Sequence, residues 1–223
     1  MSRVLPILFN TDMVRAILDG RKTVTRRCVK FLNGKNPNWT GYVKDGLMLY
    51  NGINKPCIKP CQYQPGDILY VRESVFQGVG HYLDVSGETV CFLTNDFEYY
   101  ADGLHEKDHW KDKYEHIWMH RRPSIHMPKE AARIWLKVTD VRVERLQDIT
   151  DEDCEKEGLE NYCKKCQALF SDCDTCLNDE GIKGDFKELW NSTIKKSDLD
   201  RYGWDANPWV WVIEFERCEK PAD

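Results

Sequence analysis

Apolar residues Met13, Val14, Ile17 and Leu18 recur at helical spacing, which predicts a short helix over residues 11–20. Thr11 or Asp12 is placed to cap its start, and Gly20 stands where a helix ends. The segment Arg21-Lys22-Thr23-Val24-Thr25-Arg26-Arg27 then alternates and carries β-branched residues, so an extended strand is expected. Alternation places Lys22 and Val24 on one face, with Thr23 and Thr25 on the other. Lys22 and Thr25 converge only if the preceding turn continues past Lys22.

Further strands are expected at residues 68–75, behind the turn Pro65-Gly66-Asp67, and near residues 89–93. Residues 132–146 give the clearest strand pattern, in which Ile134, Leu136 and Val138 share one parity while Val141 and Val143 share the other. The flip at Thr139-Asp140 suggests a bulge or bend. Thr150 is placed to cap a short acidic helix that Gly158 stops, residues 185–194 read as a second amphipathic helix, and residues 208–218 as a closing strand. Short strands with few helices between them predict an α+β chain: a small, bent or closed β-sheet with peripheral helices. One domain over residues 1–223 is expected, with insertions at 33–62, 77–120 and 160–184; the first holds a hairpin near residues 41–50.

The chain has 223 residues, a formal charge of −5, 41% hydrophobic residues and eight tryptophans, enough for a packed core. No apolar run reaches the ~18 residues that span a membrane. The N-terminal stretch lacks the pattern of a signal peptide, so a cytoplasmic protein is expected. The net charge conceals two blocks: residues 15–30 sum to +5 and residues 150–180 to −7. The basic block is dense enough to meet phosphates or an anionic substrate, or it forms a solvated basic turn.

In a reducing cytosol, ten cysteines point to metal ligands or buried thiols. Cys163-x2-Cys166 and Cys173-x2-Cys176 form two Cys-x2-Cys pairs with the spacing of one structural zinc site, closed by four thiolates and without an open position for catalysis. Cys57-x3-Cys61 offers half of a second site, and His105-x3-His109 and His116-x3-His120 have helical spacing, but none of these has an obvious completing partner.

Nucleophile elbows, phosphate loops and zinc-protease helices are missing from the sequence. What remains is a lysine and a hydroxyl in the basic turn with a distant carboxylate. Burial can lower a lysine's pKa enough for it to act as a base, and a threonine can then attack or orient water.

The blocks Gly20-Arg21-Lys22-Thr23-Val24-Thr25, Pro65-Gly66-Asp67-Ile68-Leu69-Tyr70-Val71-Arg72-Glu73 and Trp209-Val210-Trp211-Val212-Ile213-Glu214-Phe215 resemble the activating signal cointegrator homology (ASCH) domain. With Arg122-Pro123-Ser124-Ile125-His126-Met127-Pro128 and Trp204-Asp205-Ala206-Asn207-Pro208-Trp209, the pattern most resembles phage and prophage members. The resemblance covers roughly residues 1–32, 63–76, 121–160 and 185–217. It implies a PUA-like β-barrel that binds a nucleoside or RNA. Small bacterial members hydrolyse N(4)-acetylcytidine. The implied roles are Lys22 as general base, Thr25 as nucleophile or water-orienter, and Glu157 as orienting carboxylate, with Glu155 its rival. Arg21, Arg26, Arg27 and Arg72 are the expected nucleic-acid contacts; Arg72 either lines the cleft or pairs with Glu73. The alternatives are a noncatalytic RNA-binding module, a metal-independent ribonuclease at the same cleft, or a protein whose zinc insertion docks a host partner. The chain departs from the small enzymes in its size, three insertions and zinc motif.

Overall fold

The computed structural model describes residues 2–32, 42–44, 48–50, 57–103, 119–162, 169 and 181–221. The class is mixed α+β, and the chain divides into two compact units. One comprises residues 1–18, 68–136 and 217–223; the other comprises residues 19–67 and 137–216.

In the first unit, β1 (Val4–Leu8) runs parallel to β5 (Ile68–Arg72), with Val4 opposite Ile68 and Leu8 opposite Arg72. Between them in sequence, α1 (Thr11–Leu18) buries Val14, Ala16 and Ile17. Its cap is Asn10, one residue before the two expected candidates: the Asn10 side chain accepts from Met13 N at 2.9 Å. The segment expected as an insertion at 77–120, with a strand near residues 89–93, contributes to a three-stranded sheet of order β7-β6-β8, from β6 (Val75–Leu83), β7 (Thr89–Tyr99) and β8 (Met119–Arg122). Its strands lack clean alternation for a visible reason. Register shifts between Gln77 and Val79, and the Phe92 ring lies where Gly80 leaves room for it.

In the second unit, β2 (Val24–Cys28) begins only after Thr23, so the turn does continue past Lys22. β3 (Tyr42–Lys44) and β4 (Met48–Tyr50) form the expected hairpin. β9 (Trp135–Arg145) shows the parity flip, with Leu136 and Val138 buried before Asp140, and Val141 and Val143 buried after it. β10 (Trp209–Cys218) pairs antiparallel with β2, matching Trp211 to Arg27 and Ile213 to Thr25.

Within the second unit the strand order is β9-β10-β2. One face of β2 and β10 presents Val24, Val210 and Val212 to a core shared with Cys154 of α2 (Asp151–Lys156) and Ile182, Phe186 and Trp190 of α3 (Gly181–Thr193). The opposite face carries Thr25, Arg27, Trp211 and Ile213 by strand alternation. No helix among the described residues is long and apolar enough to cross a membrane.

Candidate active site

The site is organised by the end of α2. Thr150 caps the start of this helix by accepting from Asp153 N at 3.1 Å. Glu157 follows its last turn, and Gly158 closes it at φ +97°, with Leu159 N donating to Cys154 O at 3.2 Å. A helix end leaves carbonyls without partners. Here three consecutive residues supply them. Arg21 Nη1 donates to Gly158 O at 2.7 Å, Lys22 Nζ to Glu157 O at 2.8 Å, and Thr23 N to Lys156 O at 2.9 Å. The cations also oppose the negative end of the helix.

Lys22 is 2% exposed and Glu157 5%. The Lys22 ammonium donates to Glu157 Oε2 at 2.6 Å and to Val24 O at 2.8 Å. Burial pulls the Lys22 pKa below its ordinary value. The Glu157 carboxylate offsets part of that shift, and the positive charges of Arg27 and Arg26 add to it. A lysine made easier to deprotonate, beside a carboxylate that orients it, is the composition of a general base.

Arg26 completes the buried cluster. Its guanidinium donates to Asp153 Oδ2 at 3.0 Å and Glu157 Oε1 at 3.3 Å, with Glu144 Oε2 at 3.7 Å, while its Nε has no hydrogen-bond partner among the described residues. Arg26 was expected as a nucleic-acid contact; here its guanidinium is buried among acids. Alternation puts it on the Val24 face, toward the acids of α2, where its charge is consumed. Arg21 is likewise committed to Gly158 O and to Asp19 Oδ2, the latter at 3.0 Å. Arg72, in the other unit, does not pair with Glu73: its Nε donates to Met127 O at 2.9 Å. Glu73 is buried and takes both of its hydrogen bonds from Arg133, at 3.0 and 3.1 Å.

Thr25 is 2% exposed and lies directly opposite Ile213. Lys22 Nζ bonds the carbonyl of the peptide that leads into Thr25, so the ammonium sits one peptide group from the threonine backbone. Val24 O belongs to the outer side of β2, because Thr23 O is the one taken by Phe215 N of β10. The ammonium therefore lies at the strand's free edge, and side-chain parity does not separate it from Thr25.

On the Thr25 face opens a cavity of about 370 Å³ whose lining includes Arg27, Lys30, Lys59, Tyr63, Trp211 and Ile213. Trp211 and Ile213 are the β10 neighbours of Arg27 and Thr25. Tyr63 and Trp211 are buried, whereas Arg27, Lys30 and Lys59 are exposed. The Arg27 charge acts on both Lys22 and Glu157, which couples the cavity to the buried pair.

The family resemblance implied Lys22, Thr25 and Glu157, with Arg21, Arg26, Arg27 and Arg72 as nucleic-acid contacts. It missed Lys30, Lys59, Tyr63 and Trp211 as members of one cavity. Residues 57–63 are held beside β2's continuation by an isolated Phe31–Ile58 bridge and a Lys59 N to Lys30 O bond of 2.8 Å, contacts without periodicity. Cys28 and Cys61 also line the cavity, with burial raising the Cys28 thiol to about 11. No group of three or more metal-ligating side chains occurs among the described residues. Cys163, Cys166, Cys173 and Cys176 lie outside those residues, as do His105, His109 and His116. No protein-family model matches the chain, and neither a curated protein nor a solved structure shows significant similarity to it.

Proposed function

We propose that the chain is an ASCH-type hydrolase, a PUA-like protein that removes an acyl group from the exocyclic nitrogen of a modified cytidine. The observation that carries this reading is the buried Lys22–Glu157 contact of 2.6 Å, one peptide from Thr25 and electrically coupled to an aromatic, cationic cavity.

Tyr63 and Trp211 offer the base a place to stack. Once its proton is lost, Lys22 accepts a proton from the Thr25 hydroxyl or from a water held by it. The oxygen bonds to the acyl carbon, and the tetrahedral species collapses by breaking the carbon–nitrogen bond. Lys22 returns its proton to the departing amine. Where Thr25 is the nucleophile, water then releases the acyl group as a carboxylic acid. Glu157 holds the lysine throughout.

Cytidine release from N(4)-acetylcytidine tests the reading. Wild-type protein is expected to turn over, and Lys22→Arg, which keeps the cation but not the base, to lose roughly 10²- to 10⁴-fold in kcat. Thermal melting checks that the variant folds, and Glu157→Gln serves as a second variant. Absence of wild-type turnover, or full activity in a folded Lys22→Arg, overturns it.

The second reading is a noncatalytic RNA-binding module or a metal-independent ribonuclease at the same cavity, favoured by the combination of Arg27 with Tyr63 and Trp211. RNA binding without cytidine release would select the module, and strand cleavage in the presence of chelator the ribonuclease. The two Cys-x2-Cys pairs support a structural zinc in the 160–184 insertion and, through it, a docking surface for a host protein.

A further inference from the structure

We propose that the ligand of the cavity carries a phosphate ester, so that the site takes a nucleotide, free or within a strand, in preference to an uncharged nucleoside. The inference rests on the reading of the cavity as a base-binding site and adds the charge of what it binds.

The cavity is divided chemically. Buried Trp211, Tyr63 and Ile213 form its apolar part, while the exposed part holds Arg27, Lys30 and Lys59 beside the uncharged Pro60 and Gln62. No carboxylate is among its lining residues within the described part of the chain. Lys30 and Lys59 make no ion pair among the described residues, and the backbone bond from Lys59 N to Lys30 O, at 2.8 Å, fixes the two residues side by side. Like charges held together repel unless an anion neutralises them. Asp153 and Glu157 are not available for this, since they are turned to Arg26 and Lys22. An uncharged nucleoside leaves the repulsion in place and gives these cations nothing to bind. A phosphate meets them with charge-assisted hydrogen bonds while its base reaches the aromatic part. The volume of about 370 Å³ lies in the ordinary range for a small-molecule site, so a mononucleotide is of suitable size.

The test compares kcat/KM for N(4)-acetylcytidine, its 5′- and 3′-monophosphates, and a short single-stranded oligoribonucleotide containing the same base. Wild-type protein and Lys30→Gln/Lys59→Gln are both assayed at low and high salt. The phosphorylated substrates are expected to exceed the nucleoside by about tenfold or more at low salt, with the ratio falling toward one in the double variant and at high salt. Advantage in a mononucleotide identifies a free nucleotide as the ligand; advantage in the oligonucleotide alone identifies a strand. Equal kcat/KM for nucleoside and phosphorylated forms overturns the inference and leaves the hydrolase reading standing. If no substrate is turned over, the hydrolase reading fails, and equilibrium binding of cytidine and cytidine 5′-monophosphate decides the inference. Tighter monophosphate binding that is lost in the double variant supports it; equal binding rejects it.

Discussion

Lys22 has two jobs in this structure that pull its chemistry in opposite directions. As a cation it caps the end of α2 and pairs with Glu157; as a proposed base it must lose its proton. Burial favours the neutral form, so the folded protein sheds this proton at a lower pH than the unfolded chain does. Between the depressed folded value and the ordinary one, the unfolded chain holds more protons, and the group's contribution to stability therefore rises with pH across that window. The same titration should appear in catalysis as a rise of kcat with pH. Glu157 favours the ammonium and Arg27 disfavours it, so Glu157→Gln should move the rise to lower pH and Arg27→Gln to higher pH. Profiles of kcat against pH for the three proteins check this; shifts of the same sign would contradict it. Arg26 shows how far single residues were legible. Its parity with Val24 was already present in the alternating sequence, and following it would have directed Arg26 toward α2.

Among the elements, α2 matters most, although it is only six residues long. A helix this short draws little stability from its own hydrogen bonds and depends on its caps and packing. Thr150→Ala removes the hydroxyl that receives Asp153 N, and is expected to cost about 1 kcal/mol in denaturant unfolding, while Thr150→Ser costs little. A loss as large in the serine variant would show that the cap is not the source. This element was readable in the sequence because its signals are local: a capping threonine, acids in the first turn and a closing glycine. The pairing of its end with Lys22 joins residues far apart in the chain, which no local pattern encodes. The β6–β7 pair was legible only at the start of β7, for a different reason. Glycines, an aromatic laid across one of them and a register shift break the alternation by which strands are recognised.

At the scale of the whole molecule, the opposed charge blocks gain a physical meaning. Part of the basic block neutralises part of the acidic one, through Lys22 with Glu157 and Arg26 with Asp153, and Arg27 and Lys30 line the cavity. Strands β2, β5, β9 and β10 and helices α1 to α3 followed from periodicity, and the mixed α+β class with them. The long-range assembly of the cavity did not, because it depends on a loop that crosses beside β2. The proposed zinc gives a prediction at this scale: purified protein should contain about one zinc per chain. Cys163→Ser/Cys166→Ser should contain almost none and should melt at lower temperature. Elemental analysis and calorimetry check this, and a metal-free wild-type protein would refute it.

The central claim concerns the Thr25 hydroxyl, which Thr25→Val removes while nearly preserving shape. Single-turnover cytidine release from N(4)-acetylcytidine, measured beside the melting temperature, tests it most directly. Wild-type protein should release cytidine, and a folded Thr25→Val protein should be slower by about 10³-fold or more, because loss of the attacking or water-orienting group removes several kcal/mol of transition-state stabilisation. A wild-type protein without activity, or a folded Thr25→Val protein as fast as wild type, would contradict the account.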